Sequence, residues 1–241
     1  MKKLLLSAAV LAMSTSFAFA DTVRMGTEGA YPPYNFINDA GEVDGFEREL
    51  GDELCKRAEL TCEWVTNEWD SIIPNLVSGN YDTIIAGMSV TDERDEVIDF
   101  TQDYIPPSPS AIAALSDDIN LGSAVIAAQT GTIQAAYIAE SGATLVEFAT
   151  PDETIAAVKN GEADAVLADK DFLNPIVAES GGELVFTGPD VSIGGGVGMG
   201  LRESDGELRT KFNTAISSMK ADGTLNTMLK KWFGDEIGTY E

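Results

Sequence analysis

The chain has 241 residues, with 40 Asp and Glu against 15 Lys and Arg, a formal net charge of −25, two cysteines and no histidine. Without histidine there is no Ser-His-Asp triad, no Cys-His dyad and no His-ligated zinc, and two cysteines cannot hold a four-cysteine metal site or an iron–sulfur cluster. So acidic a chain is a poor partner for nucleic acid or an anionic bilayer, yet 44% hydrophobic and 23% charged residues describe a folded chain of one or two domains.

Met1, Lys2 and Lys3 start the chain positively, an apolar run follows from Leu4 through Val10 to Ala12, and Ala18-Phe19-Ala20 precedes Asp21. This pattern predicts a secretory leader, residues 1–20, cleaved after Ala20. The run falls short of the roughly 20 apolar residues that span a bilayer. Export would let Cys55 and Cys62 pair; two buried free thiols are the alternative.

Residues 22–27 read as a buried first strand, and Asn38-Asp39-Ala40-Gly41 as the turn of a small hairpin. Phe46, Leu50, Leu54 and Ala58 fall at helical spacing, which predicts a helix over 46–58. A strand over 62–65, a helix over 71–77 capped by Asp70 or Ser71, and a strand over 83–86 come next. In the second half, 124–128 reads as a strand, 134–140 as a helix, 152–159 as a helix stopped by Asn160-Gly161, and 165–168 as a strand. Helices over 208–221 and 224–233 close the chain. Gly79 and Asp82 recur as Gly161 and Asp164, each between a helix and a strand. A helix-Gly-x-x-Asp-strand connector is common, but two with matched surroundings suggest one similar unit in each of two lobes.

Alternating strands and helices predict an α/β fold with mostly parallel sheets. Ligands in such folds bind beyond the carboxyl ends of strands, which selects residues 27–34, 87–94, 130–134 and 169–170. The proline-rich stretch Tyr104 to Pro109 and the glycine-rich stretch Val191 to Gly198 read as the two crossings between lobes, with the cleft between them as the site of a small ligand.

Arg94 follows a strand end beside Ser89 and Thr91. Its guanidinium suits a carboxylate bidentately, or it pairs with Asp92, Glu93 or Asp95 at the surface. Thr130-Gly131-Thr132 precedes a helix, where backbone N–H groups favour an anion, or it is an ordinary capped helix start. Asp169, on the opposite lobe from Arg94, is placed to hold an ammonium group, and Glu28 is a second acid facing the same cleft. Tyr31, Tyr34 and Trp69 are either walls of that cleft or core packing. The set describes an α-amino acid with a cationic side chain. No activated nucleophile and no metal-ligand spacing is present; Glu28 and Asp169 as an acid/base pair are the one enzymatic alternative.

These stretches carry a resemblance: Gly26-Thr27-Glu28-Gly29-Ala30-Tyr31-Pro32-Pro33-Tyr34, Gly45-Phe46-Glu47, Trp69-Asp70-Ser71-Ile72-Ile73-Pro74, Ala86-Gly87-Met88-Ser89-Val90-Thr91-Asp92-Glu93-Arg94, Gln129-Thr130-Gly131-Thr132 and Lys230-Lys231-Trp232-Phe233-Gly234. Through them the chain resembles the periplasmic solute-binding proteins of polar-amino-acid ABC importers, the family-3 extracellular binding proteins. It is most similar to the lysine/arginine/ornithine- and histidine-binding group and to opine- and arginine-binding relatives. The resemblance implies a two-lobed type II (Venus-flytrap) fold with a hinge between two mostly parallel sheets, residues 21–107 and 193–241 in one lobe and 108–192 in the other. It implies a monomer that closes on its ligand and is read by a membrane permease, with no cofactor and no metal, and a Cys55–Cys62 disulfide. Arg94 would clamp the α-carboxylate with help from Ser89 and from the Thr132 backbone and hydroxyl. Asp169 and the Gly87 carbonyl would hold the α-ammonium, Tyr31 and Trp69 would sandwich the side chain, Glu28 would meet its distal charge, and Gln134 would line the far end. Glu28 stands where the group usually has Asp, Trp69 where it often has Leu, Ala86 for a hydroxyl residue and Ile133 for Thr, so an opine or another guanidino or amino compound is an alternative ligand. A cyclohexadienyl/arogenate-type dehydratase on the same fold is a distant alternative, and a sensor domain feeding a membrane kinase or channel is another.

Overall fold

The computed structural model describes residues 22–241; the predicted leader and its cleavage point lie outside the described residues. In chain order the elements are β1 (Val23–Thr27), β2 (Ala30–Tyr31), β3 (Asn35–Ile37), β4 (Val43–Asp44), α1 (Phe46–Arg57), β5 (Cys62–Thr66), α2 (Ile72–Val77), β6 (Thr83–Ile84), α3 (Asp92–Asp95) and β7 (Asp99–Phe100). They continue as β8 (Ser110–Ala114), β9 (Val125–Gln129), α4 (Ile133–Ser141), β10 (Thr144–Phe148), α5 (Pro151–Asn160), β11 (Ala165–Asp169), α6 (Lys170–Glu179), β12 (Val185–Val191), β13 (Gly200–Leu201), α7 (Gly206–Ala221) and α8 (Thr224–Phe233).

The strands form two five-stranded sheets, ordered β5-β1-β6-β13-β7 and β10-β9-β11-β8-β12, and a small β2-β3-β4 sheet. In each large sheet four strands share one direction and one opposes them, β13 in the first and β8 in the second. The reversed strands are those entered directly from the two crossings. The crossings themselves pair: Tyr104 N–H donates to the Val197 carbonyl at 2.7 Å, and Val197 N–H to the Ile105 carbonyl at 3.0 Å. Gly196 permits this approach, since its φ is +92° and a Cβ there would lie 2.9 Å from the Ile105 carbonyl oxygen.

Local chemistry explains the helices. Phe46, Leu50 and Leu54 form the fully buried stripe of α1, and a Cys55–Cys62 disulfide ties its end to β5. Thr150 and Glu153 make a reciprocal capping box with Pro151 in the first turn of α5, and Gly161 ends that helix in the left-handed conformation. Neither Asp70 nor Ser71 caps α2 by side chain. A single 3-10 turn, Trp69–Ser71, runs straight into it, and the Ser71 hydroxyl is already bonded to Asn67 and the Glu68 carbonyl.

The internal repeat has one physical basis in both halves. Asp82 N–H donates to the Arg24 carbonyl and its carboxylate accepts from Arg24 N–H; Asp164 does the same with Val125. Each aspartate thus stitches its strand to the first central strand of its own sheet. The glycine three residues earlier has positive φ, +80° at Gly79 and +75° at Gly161. Among the described residues no helix is long and apolar enough to cross a membrane.

Candidate functional site

A small cavity, about 30 Å³, lies where loops of the two sheets face each other. The end of β1 delivers Glu28, β2 delivers Tyr31, the turn after β5 delivers Trp69, and the segment after β6 delivers Gly87, Ser89 and Arg94. From the other side β9 leads to Thr132 and Gln134, and β11 ends on Asp169. All nine of these residues, each singled out in the sequence, line this one cavity, joined by Ala86, Gln129 and Ile133.

Arg94 is held for its position. The Thr91 hydroxyl caps α3 by accepting from Arg94 N–H at 3.2 Å. One guanidinium nitrogen donates to the Ser89 carbonyl at 2.8 Å, another reaches the Gly131 carbonyl at 3.4 Å across the cleft, and the group lies 5.4 Å from the Trp69 ring centroid. Every other Lys and Arg among the described residues, except exposed Lys211, lies 3.8 Å or less from a carboxylate oxygen. In a chain with 40 acids, Arg94 is half-buried and has no carboxylate partner among the described residues. The surface pairing with Asp92, Glu93 or Asp95 does not form. Burial lowers the Arg94 pKa, with Asp169 and Glu93 opposing.

Two acids answer it. Asp169 accepts from the Tyr31 hydroxyl at 3.0 Å and from Gln134 Nε2 at 2.9 Å. Burial pushes its carboxyl up to about 6, with Asp171 adding to the rise and Tyr31, Arg94 and Gln134 opposing it. Glu28 accepts from Gln129 Nε2 at 2.6 Å. Burial raises its carboxyl to about 7 against that hydrogen bond, with Glu68 and Asp152 adding. Both acids are therefore strained as anions and would be relieved by a cation. The contacts Arg94–Gly131, Tyr31–Asp169 and Glu28–Gln129 all cross from one sheet's loops to the other's, so the structure is a closed arrangement.

Three placements differ from expectation. Gln134 sits at the Asp169 end, donating to Asp169 and to Ser110, because the first turn of α4 packs over the end of β11 and the start of β8. The Glu28 end holds Gln129 instead, the last residue of β9; its signal in the sequence is an amide at a strand end immediately before Thr130-Gly131-Thr132. The Thr132 hydroxyl is occupied in capping α4, donating to the Gln129 carbonyl at 2.7 Å and accepting from Ala135 N–H at 3.2 Å. Only its N–H is left to serve an anion. Tyr31 stacks on Phe172 with centroids 4.2 Å apart and Trp69 lies beside Arg94, so each ring offers the cavity at most one face. Gly87 turns with φ +63°, a conformation L side chains rarely adopt.

The family model of the bacterial extracellular solute-binding proteins, family 3, matches residues 23–235. The chain belongs to this family. The lysine/arginine/ornithine-binding periplasmic protein of Escherichia coli (strain K12) is 32% identical over 253 residues, covering 97% of each chain. The histidine-binding periplasmic protein of the same organism is 34% identical over 260 residues, covering 98% of this chain and 99% of that one. A solved periplasmic His/Glu/Gln/Arg/opine family-binding protein from Silicibacter pomeroyi, in complex with lysine, is 80% identical with a TM-score of 0.90, covering 91% of this chain and 100% of that one. The relatives are named for binding rather than for catalysis, and the family membership accounts for the two-lobed type II fold.

Proposed function

We propose that this chain is the periplasmic solute-binding component of an ABC importer and takes a cationic L-amino acid, of the lysine, arginine, ornithine or histidine class, by closure of its lobes. The observation that carries the reading is Arg94, unpaired by any carboxylate among the described residues, facing Asp169 across a cavity whose far end is Glu28. Arg94 takes the α-carboxylate, with Ser89 and the Thr132 N–H beside it. Asp169 and the Gly87 carbonyl take the α-ammonium. Tyr31 and Trp69 flank the aliphatic stem, and Glu28 with Gln129 receives the distal cation. Because ligand touches both lobes it favours the closed form, and binding shifts the population toward it.

The lobes divide at the crossings, 21–107 with 193–241 and 108–192. Both halves of the site come from one chain, which supports action as a monomer. The periplasmic names of the relatives support export, the sequence pattern alone places the leader's cleavage after Ala20, and the ABC importer role supports a membrane permease as partner. Binding rather than turnover is supported by the relatives, which are named for the amino acids they bind. One observation favours an opine as a second reading: Glu28 also lines an open outer groove with Arg48, Trp64 and Asn67, into which a ligand longer than lysine would extend. Isothermal titration calorimetry with lysine, arginine, ornithine, histidine, glutamine and octopine tests both. The first reading expects micromolar or tighter binding, about −8 kcal/mol, for a cationic amino acid above glutamine. Octopine ahead of all of them supports the second, and no binding by any of the six refutes both.

A further inference from the structure

Glu47 is wholly buried in the first turn of α1, outside the cavity, and no Lys or Arg among the described residues pairs with it. Its carboxylate accepts three hydrogen bonds: from Gly87 N–H at 2.7 Å, from Asn35 Nδ2 at 2.7 Å and from the Tyr104 hydroxyl. Asn35, also fully buried, uses its other side-chain atom to accept from Gly29 N–H at 2.7 Å. Tyr104 in turn donates its N–H to Val197 on the return crossing. One buried carboxylate is thus wired to the residue following Glu28, to Gly87 in the cavity wall, and to the crossing on which the lobes swing.

The polarity of this wire is fixed. Both ends, Gly29 and Gly87, are backbone N–H groups and can only donate. The carboxamide of Asn35 accepts on one atom and donates on the other, so the group between Asn35 and Gly87 must accept on both of its oxygens. An ionised carboxyl group does so; a carboxamide does not. We propose that Glu47 is a positioning residue for ligand binding, holding the Glu28 loop and the Gly87 turn in register with the crossing. This inference rests on the amino-acid-binding reading of the cavity.

The test exploits that polarity. In Glu47→Gln one donor meets another somewhere along the wire, whichever way either amide turns. In Asn35→Asp two carboxyl groups meet instead. In the double variant, Asn35→Asp with Glu47→Gln, the carboxyl group moves one station along and every donor again finds an acceptor. The acid introduced at position 35 accepts from Gly29 N–H on one oxygen and from the amide nitrogen introduced at position 47 on the other. The amide oxygen at position 47 then keeps both Gly87 N–H and the Tyr104 hydroxyl.

Lysine affinity by calorimetry and amide hydrogen exchange at Gly29 and Gly87 in the ligand-free protein are measured for wild type, both single variants and the double variant. Each single variant is expected to weaken lysine about tenfold or more, because the Glu28 loop and the Gly87 turn lose their register with the crossing, and to speed exchange at one or both glycines. The double variant is expected to recover affinity to within about threefold of wild type and to restore protection, a coupling that separate structural damage would not produce. Wild-type affinity in Glu47→Gln, unchanged exchange there, or a double variant no better than Glu47→Gln overturns the proposal. If wild-type protein binds no lysine, the functional reading fails, and the exchange measurements still decide whether the wire exists.

Discussion

Replacing Glu28 by Gln keeps the size of the side chain and its ability to accept from Gln129, and removes its charge. A charge-assisted hydrogen bond to a buried or half-buried carboxylate contributes about 1.5–3 kcal/mol, so Glu28→Gln should weaken lysine about 10- to 150-fold and leave glutamine within about threefold. The pH dependence sharpens this. Without ligand, burial holds the Glu28 carboxyl at about 7 against an ordinary 4.5. A raised carboxyl binds its proton more tightly in the folded state, so its contribution to stability is fully present below pH 4.5 and lost as pH rises toward 7. Lysine affinity moves the other way, because a distal ammonium needs the anion. Below about pH 7 each binding event must expel the proton, and affinity should fall toward about tenfold per pH unit. Calorimetry at about pH 8, 7, 6 and 5, in two buffers of different ionisation enthalpy, counts the protons released. Wild type should release almost none at the highest pH and close to one from Glu28 near pH 6; Glu28→Gln should keep only the smaller release from Asp169, whose carboxyl lies at about 6. Equal losses for lysine and glutamine, or an undiminished proton release in the variant, would refute the reasoning.

Arg94→Ala should abolish measurable binding of every α-amino acid while leaving thermal unfolding close to wild type, since Arg94 makes no ion pair among the described residues; retained affinity in calorimetry contradicts the clamp. Asp82 is held at about 2: burial works to raise it, but hydrogen bonds from Arg24 and Arg202 prevail. Its depressed carboxyl contributes stability that is present above about pH 4 and lost as pH falls toward 2. Asp82→Asn should cost about 1–2 kcal/mol, screening by solvent included, in urea unfolding near neutral pH and much less near pH 2; an equal cost at both would remove the ionic explanation. Gly26→Ala should destabilise by about 1–3 kcal/mol, because a Cβ there would lie 2.6 Å from the buried Tyr81 ring, and an unchanged melting temperature would show that the ring can yield.

The parts of the fold that the sequence made legible are those with local causes. The stripe of Phe46, Leu50 and Leu54 and the stops at Gly79 and Gly161 act within a few residues of themselves. The missed elements have non-local or contradictory causes. α6 carries Pro175 in its interior and has no side-chain cap, so its pattern reads as broken although Phe172 and Leu173 bury its face. β7 and β13, two residues each, exist because a partner strand is there to pair with. The cavity residues were legible because strand ends announce themselves. Their partners were not. Gln129 on Glu28, Gln134 on Asp169 and Trp69 beside Arg94 depend on how residues distant in the chain meet, and Glu47 shows its role only once Gly87 and Tyr104 are seen to converge on it.

The most direct measurement is a crystal structure of the protein grown with lysine. The account predicts one lysine between the lobes, its carboxylate on Arg94, its α-ammonium on Asp169 and its distal ammonium at Glu28. Lysine bound elsewhere, or bound in the cleft with its carboxylate away from Arg94, would contradict it.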